Sequence, residues 1–238
     1  MSESVAPRVS VIMATRNAQP YLSQALDSIA AQTFQDFEVI VVDAASSDDS
    51  VAVASSYPKT RCIPQRGMGF ALAWNDGIEV ARGQFIAILD SDDIWPATKL
   101  ADQVACFTQR PELECVVGRV EFFLEPGQKR PLGFKESLLE GSHVAYMPGT
   151  SMLRREVFER MGKFEARWKI ATDLVWFANL RESGMPIEVL DKTLLRKRVH
   201  GNNLSYTAGW PVYRTEIFEH IKETMRKRRM LASPETQP

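Results

Sequence analysis

Three carboxylates close one short apolar run in this chain. Phe85-Ile86-Ala87-Ile88-Leu89 leads straight into Asp90-Ser91-Asp92-Asp93. A strand of that composition is buried on both faces, so its acidic end opens at a cleft. Carboxylates gathered there repel one another unless a cation joins them. Hard oxygen ligands two residues apart suit Mg²⁺ or Mn²⁺, and a phosphate-bearing substrate can arrive with such an ion. The metal would neutralise charge developing on a departing diphosphate. Asp90 and Asp92 are the candidate ligands. Asp93 reads as a helix cap or a support for its neighbours. A solvated acidic loop is the plain alternative for all three.

Four other positions carry usable chemistry. Asp43 ends a second apolar run, Phe37 to Val42, where it can accept a hydrogen bond from a base N–H or cap the next turn. Arg66 precedes Gly67-Met68-Gly69; a guanidinium suits a diphosphate or a base edge, and the glycines let a backbone pass closely. Asp173 heads an expected helix over 172–182, either as its cap or as a general base. His200 follows Leu194-Leu195-Arg196-Lys197-Arg198-Val199, either as a metal or phosphate partner or as a loop hydrogen bond. Trp168, Trp176 and Trp210 offer flat faces for a sugar, although aromatics at such spacings are more often core. Trp176, three positions beyond Asp173, is the best placed of them.

The elements that must position these residues alternate. Strands are expected at Val9–Ala14, Phe37–Val42, Arg61–Pro64 and Phe85–Leu89, with helices at Tyr21–Ala31, Val51–Ser55 and Phe70–Ala81 between them. Strand, loop and helix in that order give a mostly parallel α/β sheet with helices on both faces. Thr15, Asp43 and Asp90 then stand at C-terminal strand ends, the edge where open α/β sheets bind ligands. The second half is less regular. It offers a helix at Lys99–Thr108, one or two strands in Glu114–Leu124 and a polar connection over Glu125–Leu139. A short helix at Met152–Met161 follows, then one at Thr172–Glu182 and a strand at Ile187–Arg198. The chain reads as one domain over 1–214, with a regular half at about 9–110 and a smaller half at about 111–205.

Composition excludes several classes. A net charge of -1 over 238 residues gives no electrostatic footprint for nucleic acid. Cys62, Cys106 and Cys115 show no CxxC spacing, which argues for a reducing compartment and against a zinc site. No apolar stretch is long enough to span a bilayer, and no apolar core precedes Val9, so a cytoplasmic protein is expected. Residues 215–238 differ from the rest. Thr215 to Arg229 is an expected helix with Ile217, Phe218, Ile221 and Met225 apolar and a basic run at Arg226-Lys227-Arg228-Arg229. It can rest peripherally on an anionic membrane or, as the favoured reading, pack on its own domain or a second subunit. Ser233–Pro238 is expected to be disordered.

In combination the blocks resemble a family 2 glycosyltransferase of the GT-A fold. The opening Val9-Ser10-Val11-Ile12-Met13-Ala14-Thr15-Arg16-Asn17 is similar to the family's nucleotide-binding start. Glu38-Val39-Ile40-Val41-Val42-Asp43-Ala44-Ala45-Ser46-Ser47-Asp48, Gly67-Met68-Gly69, Asn75-Asp76-Gly77 and Leu89-Asp90-Ser91-Asp92-Asp93 continue the match. Pro148-Gly149-Thr150, Gly162-Lys163-Phe164 and Arg198-Val199-His200-Gly201-Asn202-Asn203-Leu204-Ser205 extend it to about residue 205.

The resemblance implies an inverting transfer from a nucleotide-diphosphate sugar, a UDP-sugar as first choice, with Mn²⁺ or Mg²⁺. It makes Asp173 the base and Asp92 the main metal ligand. Asp90 turns to the ribose or the metal, and His200 to the metal or diphosphate. Thr15 and Asp43 meet the base, Arg66 holds the nucleotide, and Asn17, Gly69 and Ser91 complete the donor set. The donor falls to the regular first half and the acceptor to the smaller second half. The acceptor is a saccharide, a lipid-linked sugar or a small molecule. Three positions depart from the family pattern: Ala44 replaces a second acid after Asp43, Thr172 stands where Glu is usual before the base, and Asn179 stands near the place of an Arg. A non-catalytic nucleotide-sugar-binding relative is one alternative. A nucleotidyltransferase is another, weakened because Val9–Asn17 has no glycine and only one cation.

Overall fold

The computed structural model describes residues 6–203 and 209–232. Strand β1 (Val9–Thr15) leads through helix α1 (Gln19–Ala30) to β2 (Phe37–Asp43), and α2 (Ser50–Ser55) leads to β3 (Thr60–Pro64). Then come α3 (Phe70–Val80), β4 (Phe85–Ile88), α4 (Lys99–Gln109) and β5 (Cys115–Leu124). The second half adds β6 (His143–Ala145), β7 (Met152–Arg154), α5 (Arg155–Met161), α6 (Thr172–Glu182), β8 (Ile187–Val199) and α7 (Gly209–Ala232).

One mixed sheet of eight strands runs β3-β2-β1-β4-β7-β5-β6, with β8 also paired to β5. β3, β2, β1 and β4 are parallel, and β7 is the antiparallel insertion between β4 and β5. Alternation along each strand feeds two cores. Val9, Val11 and Met13 of β1 pack with α1 and α4, whereas Ile12 packs with α3, α5 and α6 on the other face. Gly77 lets α3 lie against β1: a Cβ there would come within 2.4 Å of the Ile12 methyl Cγ2.

The expected α/β architecture with helices on both faces is what the chain adopts. One element differs. Met152–Met161 was expected to be a single helix, but Met152–Arg154 is a strand paired with β4, and the helix starts at Arg155. Three residues show no period that separates strand from helix. The position between β4 and β5, where Met152 and Leu153 are buried, decides the matter. The C-terminal helix also starts earlier than the sequence pattern suggests, at Gly209. Leu204, Ser205 and Ser233–Pro238 lie outside the described residues.

Candidate active site

The parallel strands bring their acidic ends to one edge. Thr15 is the register partner of Asp43, and Leu89 donates its N–H to Ile12 of the same strand β1. Asp90 therefore emerges beside the end of β1, with Asp43 on the far side of Thr15. Thr15 is buried, and its hydroxyl has no hydrogen-bond partner among the described residues. A buried polar atom left unpaired is costly unless a ligand completes it. Asp43 accepts the Ser46 N–H at 3.0 Å and its hydroxyl at 2.5 Å, so it caps the turn after β2. Asn17, at φ 50, accepts the Ser47 N–H at 2.8 Å and ties the loops after β1 and β2 together.

Asp90, Asp92 and Asp93 place ligand oxygens within 4.8 Å of one another. Sequence reading left one member out. Lys197, near the end of β8, sits 2.9 Å from Asp93 Oδ2 and 3.4 Å from Asp90 Oδ2. Asp93 is 1% exposed, and it also accepts the Arg198 N–H at 2.9 Å. It is a buried support rather than a cap of α4, whose preceding residue is Thr98. Burial, reinforced by the charges of Asp92 and Asp90 and opposed by Lys197, pushes the Asp93 carboxyl up to about 7. Asp90 is raised as well, by burial and the charge of Asp92 against the opposing Lys197. Asp92 is lowered, because the His200 hydrogen bond and the charges of Lys197 and His200 overcome its burial. Burial pulls the Lys197 ammonium down, but three acids hold it well above 10.5.

His200 Nε2 stands 3.1 Å from Asp92 Oδ2, and its ring stacks on Tyr21 at 4.9 Å. Asn203 donates to the same oxygen at 3.2 Å and accepts the His200 N–H at 2.7 Å. Behind them Arg198 is fully buried. It donates to the Asp92 carbonyl at 2.8 Å and to Gln24 at 2.8 Å, contacts Glu125, and lies over the rings of Tyr21 and Phe123. The end of β8 is thus fastened to the Asp90–Asp93 loop.

Asp173 is half-buried in the first turn of α6. Burial, helped by the nearby charge of Asp90 and opposed by Lys197 and by backbone N–H donors, raises its carboxyl to about 6. It shares electrostatic space with the acid cluster, and a carboxyl at that value is suited to taking a proton near neutrality. Ser91 is half-buried between Asp90 and Asp92, and Gly69, at φ 92, opens α3. Arg66 is exposed. Its guanidinium spans Asp76 (2.9 Å) and Glu79 (2.8 Å), so it fastens the glycine loop to α3. Trp168 and Trp176 are 3% and 5% exposed; the Trp176 N–H donates to Gly162 O at 2.9 Å, and its ring stacks on Phe158. Both are core, which removes Trp176 as an acceptor platform. The side chain of Trp210 lies outside the described residues.

A divalent cation fits this donor set. The three acids offer hard oxygens, and Asp92 is braced by His200 and Asn203. Lys197 is the cation that balances them here.

Known proteins match both sequence and shape. An uncharacterized glycosyltransferase of Nostoc sp. is 30% identical over 85% of this chain and 68% of its own. The Escherichia coli UDP-Glc:alpha-D-GlcNAc-diphosphoundecaprenol beta-1,3-glucosyltransferase WfaP is 33% identical over 40% of this chain and 39% of its own. Among solved structures, Staphylococcus aureus TarS 1–349 in complex with UDP superposes with a TM-score of 0.65 at 23% identity, over 82% of this chain and 61% of that one. The Pyrobaculum calidifontis mannosyltransferase PcManGT, in complex with GDP-Man and Mn²⁺, gives 0.66 at 23%, over 94% and 65%. The chain thus spans less than two thirds of these solved relatives. Residues 10–165, more than half of the sequence, match the family model described as Glycosyl transferase family 2, so the chain belongs to that glycosyltransferase family.

Proposed function

We propose that the chain is an inverting glycosyltransferase that moves a sugar from a nucleotide-diphosphate sugar, a UDP-sugar as first choice, to an acceptor hydroxyl. The observation that carries the proposal is the convergence of Asp90, Asp92 and Asp93 at the end of β4, with Asp173 close enough to sense the charge of Asp90. Asp92 and Asp90, with His200 beside them, would hold Mn²⁺ or Mg²⁺, which supplies charge neutralisation for the diphosphate. Thr15 offers an unpaired buried hydroxyl where the base would lie, next to Asp43. Asn17, Gly69 and Ser91 shape the donor side, and Arg66 holds the glycine loop in place. Asp173 takes the acceptor proton as the hydroxyl oxygen attacks the anomeric carbon and the nucleotide diphosphate leaves from the opposite face, an in-line displacement that inverts the centre.

Three free cysteines fit a reducing, cytoplasmic setting. No helix among the described residues is long and apolar enough to cross a membrane. The outward face of α7 exposes Phe218, Ile221 and Met225 beside Arg214, Lys222 and Arg226. That combination suits peripheral contact with an anionic bilayer, where a lipid-linked acceptor would be met. Co-sedimentation with anionic vesicles that is lost in a Phe218→Ser, Met225→Ser variant is the expected result. Equal sedimentation of both forms would remove the membrane from the reading.

The catalytic part is tested with UDP-, dTDP- and GDP-sugars and Mn²⁺, measuring binding and slow donor hydrolysis in wild type and Asp92→Ala. Metal-dependent binding of one donor, abolished by the substitution, is expected. Binding that survives in Asp92→Ala, or that needs no metal, would overturn the assignment of the site.

A further inference from the structure

Helix α6 begins without a cap of its own. The residue before Thr172 is Ala171, which has no side-chain oxygen to offer the free N–H groups there. An acid from α7 instead holds the backbone that leads into the helix. Glu216 of α7 is 6% exposed, and its carboxylate accepts the N–H groups of Lys169 (2.6 Å), Ile170 (3.0 Å) and Ala171 (2.8 Å). Three successive amides around one carboxylate form an anion nest, and charge strengthens each of those bonds.

The same segment is held at two further points. Arg167 pairs with Glu223 of α7 through both guanidinium nitrogens at 2.8 Å, and its cation lies 4.2 Å over the Trp168 ring. Trp168, Ala171 and Val175 pack with Tyr213 and Ile217 of α7. Tyr213 is also near enough to Asp173 for that acid's charge, after burial, to raise the phenol. One face of α7 is therefore built around the segment that ends, two residues after Ala171, in Asp173. All of this lies outside residues 10–165, the part matched by the family model.

We propose that α7 is a working part of the acceptor side, with Glu216 as a positioning residue that fixes where Asp173 points. The proposal rests on Asp173 being the base. Glu216 does not touch the reacting atoms. It anchors the backbone immediately before the helix that carries the base, and a shift of about 1 Å in a reacting group costs on the order of a hundredfold in rate.

The test uses the full chain with Mn²⁺ and the UDP-sugar that wild type hydrolyses fastest, and compares Glu216→Ala with Glu216→Gln. Glu216→Ala should lower kcat about a hundredfold and leave the donor KM near wild type, because the nucleotide half is not anchored by α7. Glu216→Gln keeps an acceptor oxygen without the charge, so it should fold and recover part of kcat. Hydrogen exchange, measured without substrate, should quicken at the amides of residues 169–171 in Glu216→Ala and less in Glu216→Gln. Quickened exchange with unchanged kcat would overturn the positioning role, and so would a loss confined to donor KM. Should Glu216→Ala not fold, Glu216→Gln decides alone: wild-type kcat with quickened exchange overturns the role. A wild type that hydrolyses no donor while residues 169–171 stay protected defeats the base assignment, and the proposal with it, and is distinguishable from either of the other results.

Discussion

Replacing Asp173 by Asn should abolish transfer and yet make the protein more stable. The carboxyl is held at about 6 in the folded chain against an ordinary 3.8, chiefly by burial and then by the charge of Asp90. A raised carboxyl means that the folded state binds its proton more tightly than the unfolded state does. Ionised Asp173 therefore costs stability above pH 6. The cost fades as pH falls from about 6 to 3.8 and is absent below that. Each pH unit between the two values corresponds to about 1.4 kcal/mol, which makes the cost at pH 8 about 2–3 kcal/mol. Asn has the same shape and no charge to desolvate, so the variant should recover most of it.

Urea unfolding at pH 8 and pH 4, in chelator, is the measurement. The midpoint of Asp173→Asn should lie above wild type at pH 8 and converge with it at pH 4, at an unchanged slope. Donor hydrolysis should fall at least a hundredfold, the loss that the proposed base role of Asp173 requires. In wild type the same carboxyl should give an acid limb near pH 6 in the rate profile. Equal midpoints at pH 8, or a less stable variant there, would refute the claim that the site holds this acid against its own charge.

Three further outcomes follow from the geometry. Lys197→Met leaves Asp93 and Asp90 without their cation, so stability in chelator should drop by about 3 kcal/mol and excess Mn²⁺ should restore much of it, read as the melting temperature with and without metal. Among the described residues the partners of the fully buried Lys99 ammonium are Gln103 (2.6 Å), the Ser151 carbonyl (3.2 Å) and the Trp95 face, and burial holds it well below 10.5. A depressed lysine costs stability as pH falls below 10.5, so Lys99→Met should match or exceed wild type at pH 7 in urea unfolding, with the gap closing toward pH 10. Gly77→Ala puts a methyl against Ile12 in the core and should cost about 1–3 kcal/mol in the same assay, without altering donor KM.

The legible part of this chain was local. Apolar runs at Val9, Phe37 and Phe85 announce the parallel strands because each is buried on both faces, and a run of that kind ends where its polar residues must meet solvent or ligand. Asp90 and Asp92 could be read because motif and strand end are adjacent in sequence. Their supports could not. Lys197 joins the acids across more than a hundred residues, through the pairing of Ile94 with Arg196 and of β8 with β5. Within Arg196-Lys197-Arg198 nothing in composition tells the exposed Arg196 from the buried Arg198, and alternation puts both on one face of β8; the Tyr21 ring, Gln24 and the Asp92 carbonyl close over Arg198 and decide it. Trp176 read as a platform by spacing from Asp173, but spacing does not say which side of α6 the core occupies.

Lys197 also explains how so acidic a loop can fold before any ion arrives. Three carboxylates with ligand oxygens within 4.8 Å, one of them 1% exposed, repel one another strongly as free anions, and the buried Asp93 bears the largest cost. One ammonium at 2.9 Å from Asp93 and 3.4 Å from Asp90 removes the worst of the repulsion, and the Asp93 carboxyl, pushed up to about 7, absorbs more of it. Asp92 is held differently: it stays ionised against His200 and Asn203. The arrangement leaves Asp92 charged while Lys197 balances its neighbours from within the chain. A divalent cation approaching from solvent must compete with Lys197 for Asp90. Metal affinity should therefore rise in Lys197→Met as its metal-free stability falls, and a Mn²⁺ titration by calorimetry that shows weaker binding in that variant would break the link between the two.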